Sequence, residues 1–279
     1  MTEIKSVEQF NEKVKAFRGE NKKTVSNCFL MPGEIMSLIS ENRIFIAEYP
    51  QWLLILCDRE GYSNLYYYTT ADSDEAYVRE FLGTVSDREI YMDIVTRRGR
   101  GDLDTPERLI KSGIAGKYKK YQRMQLPLSE VEIKEDSLKV AEGYTLTTDY
   151  CDYNELMNLW KNALDEKSTP LPTTNEIADL HKQGNIFSVL TECGKLAAVI
   201  ILSVSSKQGL IQHLSVSPQH RRKGLAASLM AASFAAAIKN GLNMVRLWVD
   251  CENTGAIALY DLLEFVTDGM ICEQLSMFI

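Results

Sequence analysis

Histidine is scarce in this sequence, three among 279 residues, and the six cysteines stand singly, with no CxxC pair and no dense spacing. Zinc-finger-type centres and the disulfide frameworks of small secreted domains both need closer cysteines than these, so a reducing cytoplasm and no metal are expected. No uncharged apolar run reaches the length that crosses a bilayer, and the opening MTEIKSVEQFNEKVKAF is charged and helix-like where a secretory leader is apolar. A positive charge excess is missing too, since 31 Lys and Arg face 38 Asp and Glu, a net charge of −7. An acidic chain is a poor general ligand for nucleic acid or an anionic membrane, and amine-bearing small molecules are its easier partners. Nor is there a GxxxxGK[ST] phosphate loop. What is present is ordinary for a globular chain, 45% hydrophobic and 25% charged, with length for two modest domains or one large one.

Periodicity gives the order of elements. Val7, Phe10, Val14 and Phe17 recur at helical spacing and predict an amphipathic helix over about 5–18, ending near Gly19. GEIMSLISE (33–41) predicts a short helix, and the following 42–70 predicts three strands, a meander broken at Tyr49-Pro50 and at 58–61. Tyr66, Tyr67 and Tyr68 then fall on alternate faces of the third strand. EIYMDIV (89–95) is strand-like, TPERLIKSGI (105–114) reads as a helix capped by Thr105 with Pro106 in its first turn, and KYKKYQRMQL (117–126) as a strand. The charged stretch 127–143 is poor in large apolar residues and marks a junction, taken as 129–142. The chain thus divides into domains over 1–128 and 143–279.

The second half repeats the first. EIMSLISENRIF (34–45) and EIADLHKQGNIF (176–187) share Glu, Ile, Leu, Ile and Phe at one constant offset, 176 − 34 = 142. The order of elements after each copy also agrees, which favours duplication over convergence of two helix-to-strand junctions.

The copies differ at one turn. In the second half the alternating strand GLIQHLSVSP (209–218) leads through the basic turn QHRRKG (219–224) into the Ala-rich helix LAASLMAASFAAAIK, stopped by Asn240-Gly241. In the first half the strand NLYYYTT (64–70) is followed by ADSDEAYVREF, with acids in place of the basic residues. A turn that points successive N–H groups outward onto the first turn of a helix is an anion site, because those donors have no intrahelical partner and lie at the dipole's positive end. Gly224 lets a ligand approach the backbone, Ala226 keeps the next turn small, and Arg221, Arg222 and Lys223 add charge. The acidic copy repels phosphate.

Arg221-Arg222-Lys223-Gly224-Leu225-Ala226 resembles the acetyl-CoA signature [QR]-x-x-G-x-[GA] of the GNAT acyltransferase superfamily, and LSVSP resembles the strand before it. A second segment, VDCENTGAIALYDLLEF (249–265), resembles the family's later strand-loop-helix at Val249, Asn253, Ala256, Leu259, Tyr260 and Phe265, departing at Glu264, where the family usually has Gly. The resemblance implies an α/β fold of two GNAT-like domains, each a mixed, mostly antiparallel sheet flanked by helices, the first degenerate as in tandem GNAT proteins. It implies acetyl-CoA as co-substrate and transfer of its acetyl group to a primary amine by direct attack in a ternary complex. Backbone groups of Leu214 and Val216 would receive the pantetheine arm as an added strand receives its neighbour. Arg221, Arg222, Lys223, Gly224, Leu225 and Ala226 would wrap the diphosphate, Ser228 would complete that site, and Asn253 would contact the pantetheine or its neighbouring backbone. Tyr260 matches the general acid for the departing thiolate. His213 stands where several members carry a base, although a strand histidine is also a common polar-face or hydrogen-bonded residue. A sensor that binds acetyl-CoA without acceptor chemistry keeps the loop but does not need Tyr260. A small-molecule amine is the expected acceptor, with no nucleic acid or membrane partner, in a monomer or homodimer.

Overall fold

The computed structural model describes residues 1–278 apart from 86, 98–101, 103 and 134, and the side chains of Glu130, Glu135 and Ser137 are not among those described. The chain gathers into two compact units, residues 1–121 with 269–279, and residues 122–268. The expected junction, 129–142, includes residue 134, outside the described residues, and its other residues group by contact with the second unit.

The first unit runs β1 (Thr2–Glu3), α1 (Val7–Glu20), β2 (Val25–Ser26), α2 (Pro32–Ser40), β3 (Ile44–Glu48), β4 (Trp52–Asp58), β5 (Ser63–Thr69), α3 (Ala76–Gly83), β6 (Ile90–Arg97), α4 (Asp104–Lys111) and the start of β7 (Ala115–Pro127). Ser6 caps α1 by accepting the Gln9 amide at 3.1 Å. β3, β4 and β5 form the predicted antiparallel meander. All of β5 is buried because helices cover both its faces. Tyr66 and Tyr68 join Phe10, Phe17, Ile35 and Leu38 of α1 and α2, while Leu65 and Tyr67 join Val78, Phe81 and Leu82 of α3. One expectation is corrected: Thr105 lies inside α4, and its amide donates to the Asp102 carboxylate at 3.0 Å, so Asp102 supplies the capping oxygen. Hydrogen bonding explains why the chain's C-terminus counts with this unit, since the later part of β13 (Val266–Met277) pairs antiparallel with β6 from Met270↔Arg97 to Ser276↔Tyr91.

The second unit contains β8 (Tyr144–Thr147), α5 (Tyr153–Ala163), α6 (Thr174–Lys182), β9 (Ile186–Thr191), β10 (Leu196–Ser205), β11 (Gln208–Val216), α7 (Leu225–Lys239), β12 (Met244–Asp250) and α8 (Thr254–Leu262). β8 to β11 are successive antiparallel neighbours, and β11 and β12 run parallel. Leu156, Trp160 and Ile177 of α5 and α6 pack on one face against Val199 and Ile201. On the other face α7 and α8 bring Leu229, Phe234 and Tyr260 against Ala198, Ile200 and Leu247. Buried Ala231, Ala232 and Ala237 keep α7 slim on that face.

The repeat is visible in space as well as in letters. Helix and strand begin at the same offset in the two units, 174 − 32 = 142 and 186 − 44 = 142. Even the left-handed residue between them recurs, Asn42 at φ 56° and Gly184 at φ 67°. Among the described residues no helix is long and apolar enough to cross a membrane.

Candidate active site

β11 and β12 pair only from Gln208↔Met244 to Ile211↔Leu247, and beyond that point they part. A bulge sits at the parting. Val199 and Ile201 of β10 face Ser215 and Gln212, so three steps on β11 oppose two on β10. His213, at φ 52°, takes the left-handed conformation that absorbs the extra residue. The Ser217 amide reaches the Ala197 carbonyl of β10 at 2.9 Å, so alternation along the strand turns the main-chain groups of Leu214 and Val216 into the gap. The Leu214 groups and the Val216 amide can pair with an extended ligand, while the Val216 carbonyl accepts from Arg221 Nε.

The basic turn follows at the mouth of the gap. Gly224 holds φ 76° and Arg222 φ 61°, and Gly224 is the N-cap of α7 without any side-chain cap. The Gly224 carbonyl is taken by the Ser228 amide at 3.1 Å. The amides of Leu225, Ala226 and Ala227 therefore precede the helical ladder and face outward, as a helix start requires. Arg221, Arg222, Lys223 and Gly224 are exposed. Arg221 Nε donates to the Val216 carbonyl at 3.2 Å, which ties the turn to β11. Lys223 Nζ donates to the Tyr144 hydroxyl at 2.7 Å, and that hydroxyl bonds His220 Nδ1 at 2.9 Å. Tyr144 on β8 thus clamps both sides of the turn, a role that nothing in its strand pattern announces. Ser228 behaves otherwise than expected. Its buried hydroxyl donates to the Lys139 carbonyl at 2.9 Å and lies 3.4 Å from the Gly224 carbonyl, so its proton is not offered to a phosphate, which only accepts.

His213 packs its ring 5.5 Å from that of Trp160, whose Nε1 donates to the His213 carbonyl at 3.0 Å. Burial pulls the imidazole down to about 4, and its Nδ1 has no hydrogen-bond partner among the described residues. The unfolded chain titrates near ~6.5, so between these values it binds more protons than the folded one, and stability is lost as pH falls through this window. The expected loss from pH 7 to below 4 is ~3 kcal/mol. Urea unfolding across pH 4–7.5 checks this, with His213→Asn, which tolerates the left-handed backbone, flattening the acid slope.

α8 presents the last two candidates. Asn253 is its N-cap, the side chain accepting the Ala256 amide at 3.1 Å. Tyr260 is buried, its ring 5.8 Å from Phe265, and burial pushes its phenol up to about 12. The helix ends in a Schellman turn. The Phe265 amide donates to the Tyr260 carbonyl and the Glu264 amide to the Asp261 carbonyl, both at 3.0 Å, with Glu264 at φ 63°. Glutamate therefore occupies a position suited to glycine. Glu264→Gly is expected to stabilise the protein by ~1 kcal/mol, read as a raised denaturation midpoint.

The gap between parallel strands, the turn at its mouth and the buried phenol of Tyr260 in the helix after the next strand belong to one unit. Residues 153–265 match the model of the Acetyltransferase (GNAT) family, so this stretch is a GNAT domain. Over 76 residues the chain is 34% identical to the [ribosomal protein bS18]-alanine N-acetyltransferase of Escherichia coli (strain K12), covering 27% of this chain and 51% of that protein. The chain thus spans about half the length of such curated relatives. A tandem GNAT protein from the clavulanic acid biosynthesis pathway is similar in structure, with a TM-score of 0.57 at 15% identity over 81% of this chain and 78% of that one. A GNAT-family acetyltransferase from Colwellia psychrerythraea gives 0.55 at 14% identity over 99% of both chains. At such identities the two structures bear on the fold, and the second does so over the whole length.

Proposed function

We propose that the chain is an acetyl-CoA-dependent N-acetyltransferase whose acceptor is a small-molecule primary amine, attacked directly in a ternary complex. The observation that carries this reading is the conjunction, in one unit, of the turn at 221–226 with the ligand-facing main chain of Leu214 and Val216. Acetyl-CoA supplies the activated acetyl group as a thioester. The outward amides from Gly224 to Ala227, with Arg222 beside them, suit its diphosphate, and the β11 edge suits the amide-bearing arm. An amide near Val216 is the donor placed for negative charge developing on the thioester oxygen. His213, neutral at physiological pH, is too weak a base to hold an ammonium proton. Its buried ring, packed on Trp160, serves instead to hold the bulge of β11 beside the gap. Tyr260 keeps its proton across the working range and offers it to the leaving sulfur.

Free-thiol release from acetyl-CoA, followed across a panel of amines, tests the reading. The panel includes a peptide with N-terminal alanine, prompted by the ribosomal-protein relative. Acetylated product with any acceptor supports it, and thiol release that no amine accelerates counts against it. A second reading, an acetyl-CoA-binding sensor, is favoured by one observation: neither His213 nor Tyr260 titrates near neutrality. Binding without turnover across the panel would select it.

A further inference from the structure

The first unit has a gap of the same construction, and its own chain lies in it. β5 and β6 pair in parallel only at Ser63↔Ile90 and Asn64↔Tyr91, then part, as β11 and β12 do beyond Ile211↔Leu247. The Ser63 amide reaches the Glu89 carbonyl on the β6 side at 2.8 Å, so alternation turns the main-chain groups of Leu65, Tyr67 and Thr69 into this gap. Residues 25–27 take them up. β2 pairs antiparallel with the end of β5, Val25↔Thr69 and Ser26↔Tyr68. Ser26 Oγ donates to the Tyr67 carbonyl at 2.6 Å. Asn27 Oδ1 accepts the Tyr67 amide at 2.7 Å, and its Nδ2 donates to the Leu65 carbonyl at 3.3 Å. Across the gap the same Nδ2 donates to the Asp93 carbonyl of β6 at 3.1 Å. With 7% exposure, Asn27 is a buried carboxamide whose polar atoms bond the main chains of both parted strands.

A carboxamide that bridges two strands, preceded by a short antiparallel strand, is chemically what an amide-bearing pantetheine arm offers to such an edge. Accepting the reading of the second unit's gap given above, we propose that residues 25–27 are a built-in strand ligand. They occupy the first unit's gap, satisfy its edge and close it to any outside arm, so that the chain has one acyl-CoA seat. Charge at the mouth agrees with this. Where the second unit has its basic turn, α3 is preceded by Asp72, Asp74 and Glu75, and Glu75 is an N-cap that makes no side-chain cap. The edge groups are thereby paired without a ligand, which removes the cost of leaving them bare.

Two measurements test the proposal. Calorimetric titration of acetyl-CoA into the intact chain should give one site, and Gly224→Val should leave none. A second site overturns the proposal, whereas a single site whose affinity is unchanged by Gly224→Val counts against the reading of the second unit and leaves the decision on residues 25–27 to the exchange measurement. Hydrogen exchange reads the occupant itself, whatever acetyl-CoA does. The Tyr67 amide should be protected in the wild-type chain and exchange at least ~10-fold faster in Asn27→Ala. Ser26→Ala, which removes the bond to the Tyr67 carbonyl and the one accepted from the Cys28 amide but leaves Asn27 in place, is the milder variant should Asn27→Ala not fold, and should give a smaller acceleration. A Tyr67 amide that exchanges like an exposed one, or is indifferent to both substitutions, overturns the proposal. If acetyl-CoA does not bind at all while Tyr67 is protected through Asn27, the functional reading of the second unit fails and the built-in occupant stands.

Discussion

Replacing Gly224 with valine is expected to weaken coenzyme A binding at least ~100-fold with little change in the stability of the fold. The reason is conformational. A side chain at this position would meet nothing within 4 Å, so crowding is not the cause. The residue holds φ 76°, where a β-branched side chain is an outlier. Valine would drive the turn out of the left-handed region and swing the amides that start α7 away from their common focus. Losing two charge-assisted hydrogen bonds at ~1.5–3 kcal/mol each already exceeds the ~2.7 kcal/mol that a hundredfold requires. Titration calorimetry with coenzyme A measures the effect, and a thermal melt within a few degrees of wild type shows the fold retained. An affinity equal to wild type would remove the diphosphate assignment, and the transferase reading with it.

The second large effect is expected at Tyr260. Tyr260→Phe should lower kcat by ~100- to 1,000-fold while leaving coenzyme A affinity within about twofold. Phenylalanine keeps the ring contact with Phe265, and the hydroxyl has no hydrogen-bond partner among the described residues, so packing loses little. The buried phenol at about 12 also defines how it acts. A thiolate of ordinary pKa ~8.5 is the weaker base by ~3.5 units, so full proton transfer from Tyr260 is uphill by ~5 kcal/mol. On the proposed reading the phenol would stabilise the departing sulfur as a hydrogen-bond donor, and kcat should show no alkaline limb from Tyr260 below about pH 11. Turnover unchanged in the phenylalanine variant, with an acceptor in hand, would assign the role elsewhere.

Much of this site is legible in the chain because its parts are local. The turn at 219–224 needs only a strand before it, a glycine and a helix after it, and all three leave marks in sequence. The same holds for the helix-to-strand repeat at offset 142. What failed was direction. Ser228 has the right spacing to face the turn, but packing of α7 aims its hydroxyl at the Lys139 carbonyl. Thr105 is a good cap by type, yet Asp102 reaches the helix start first. The bulge at His213 depends on the registers of β10 and β11, and Tyr144 meets the turn from 79 residues away, so no local pattern encodes either.

The sequence by itself determined the two-part organisation, the mixed sheet flanked by helices, and the position of the basic turn, because periodicity, glycine placement and charge act over a few residues. Only the tertiary structure decided what lies in each gap. In the second unit the freed edge of β11 faces outward beside a basic turn, whereas in the first the freed edge of β5 is paired by Ser26 and Asn27, drawn from some 40 residues away. Pairing at that distance follows from which groups the fold leaves unsatisfied, and a backbone amide or carbonyl has the same identity at every position in the chain.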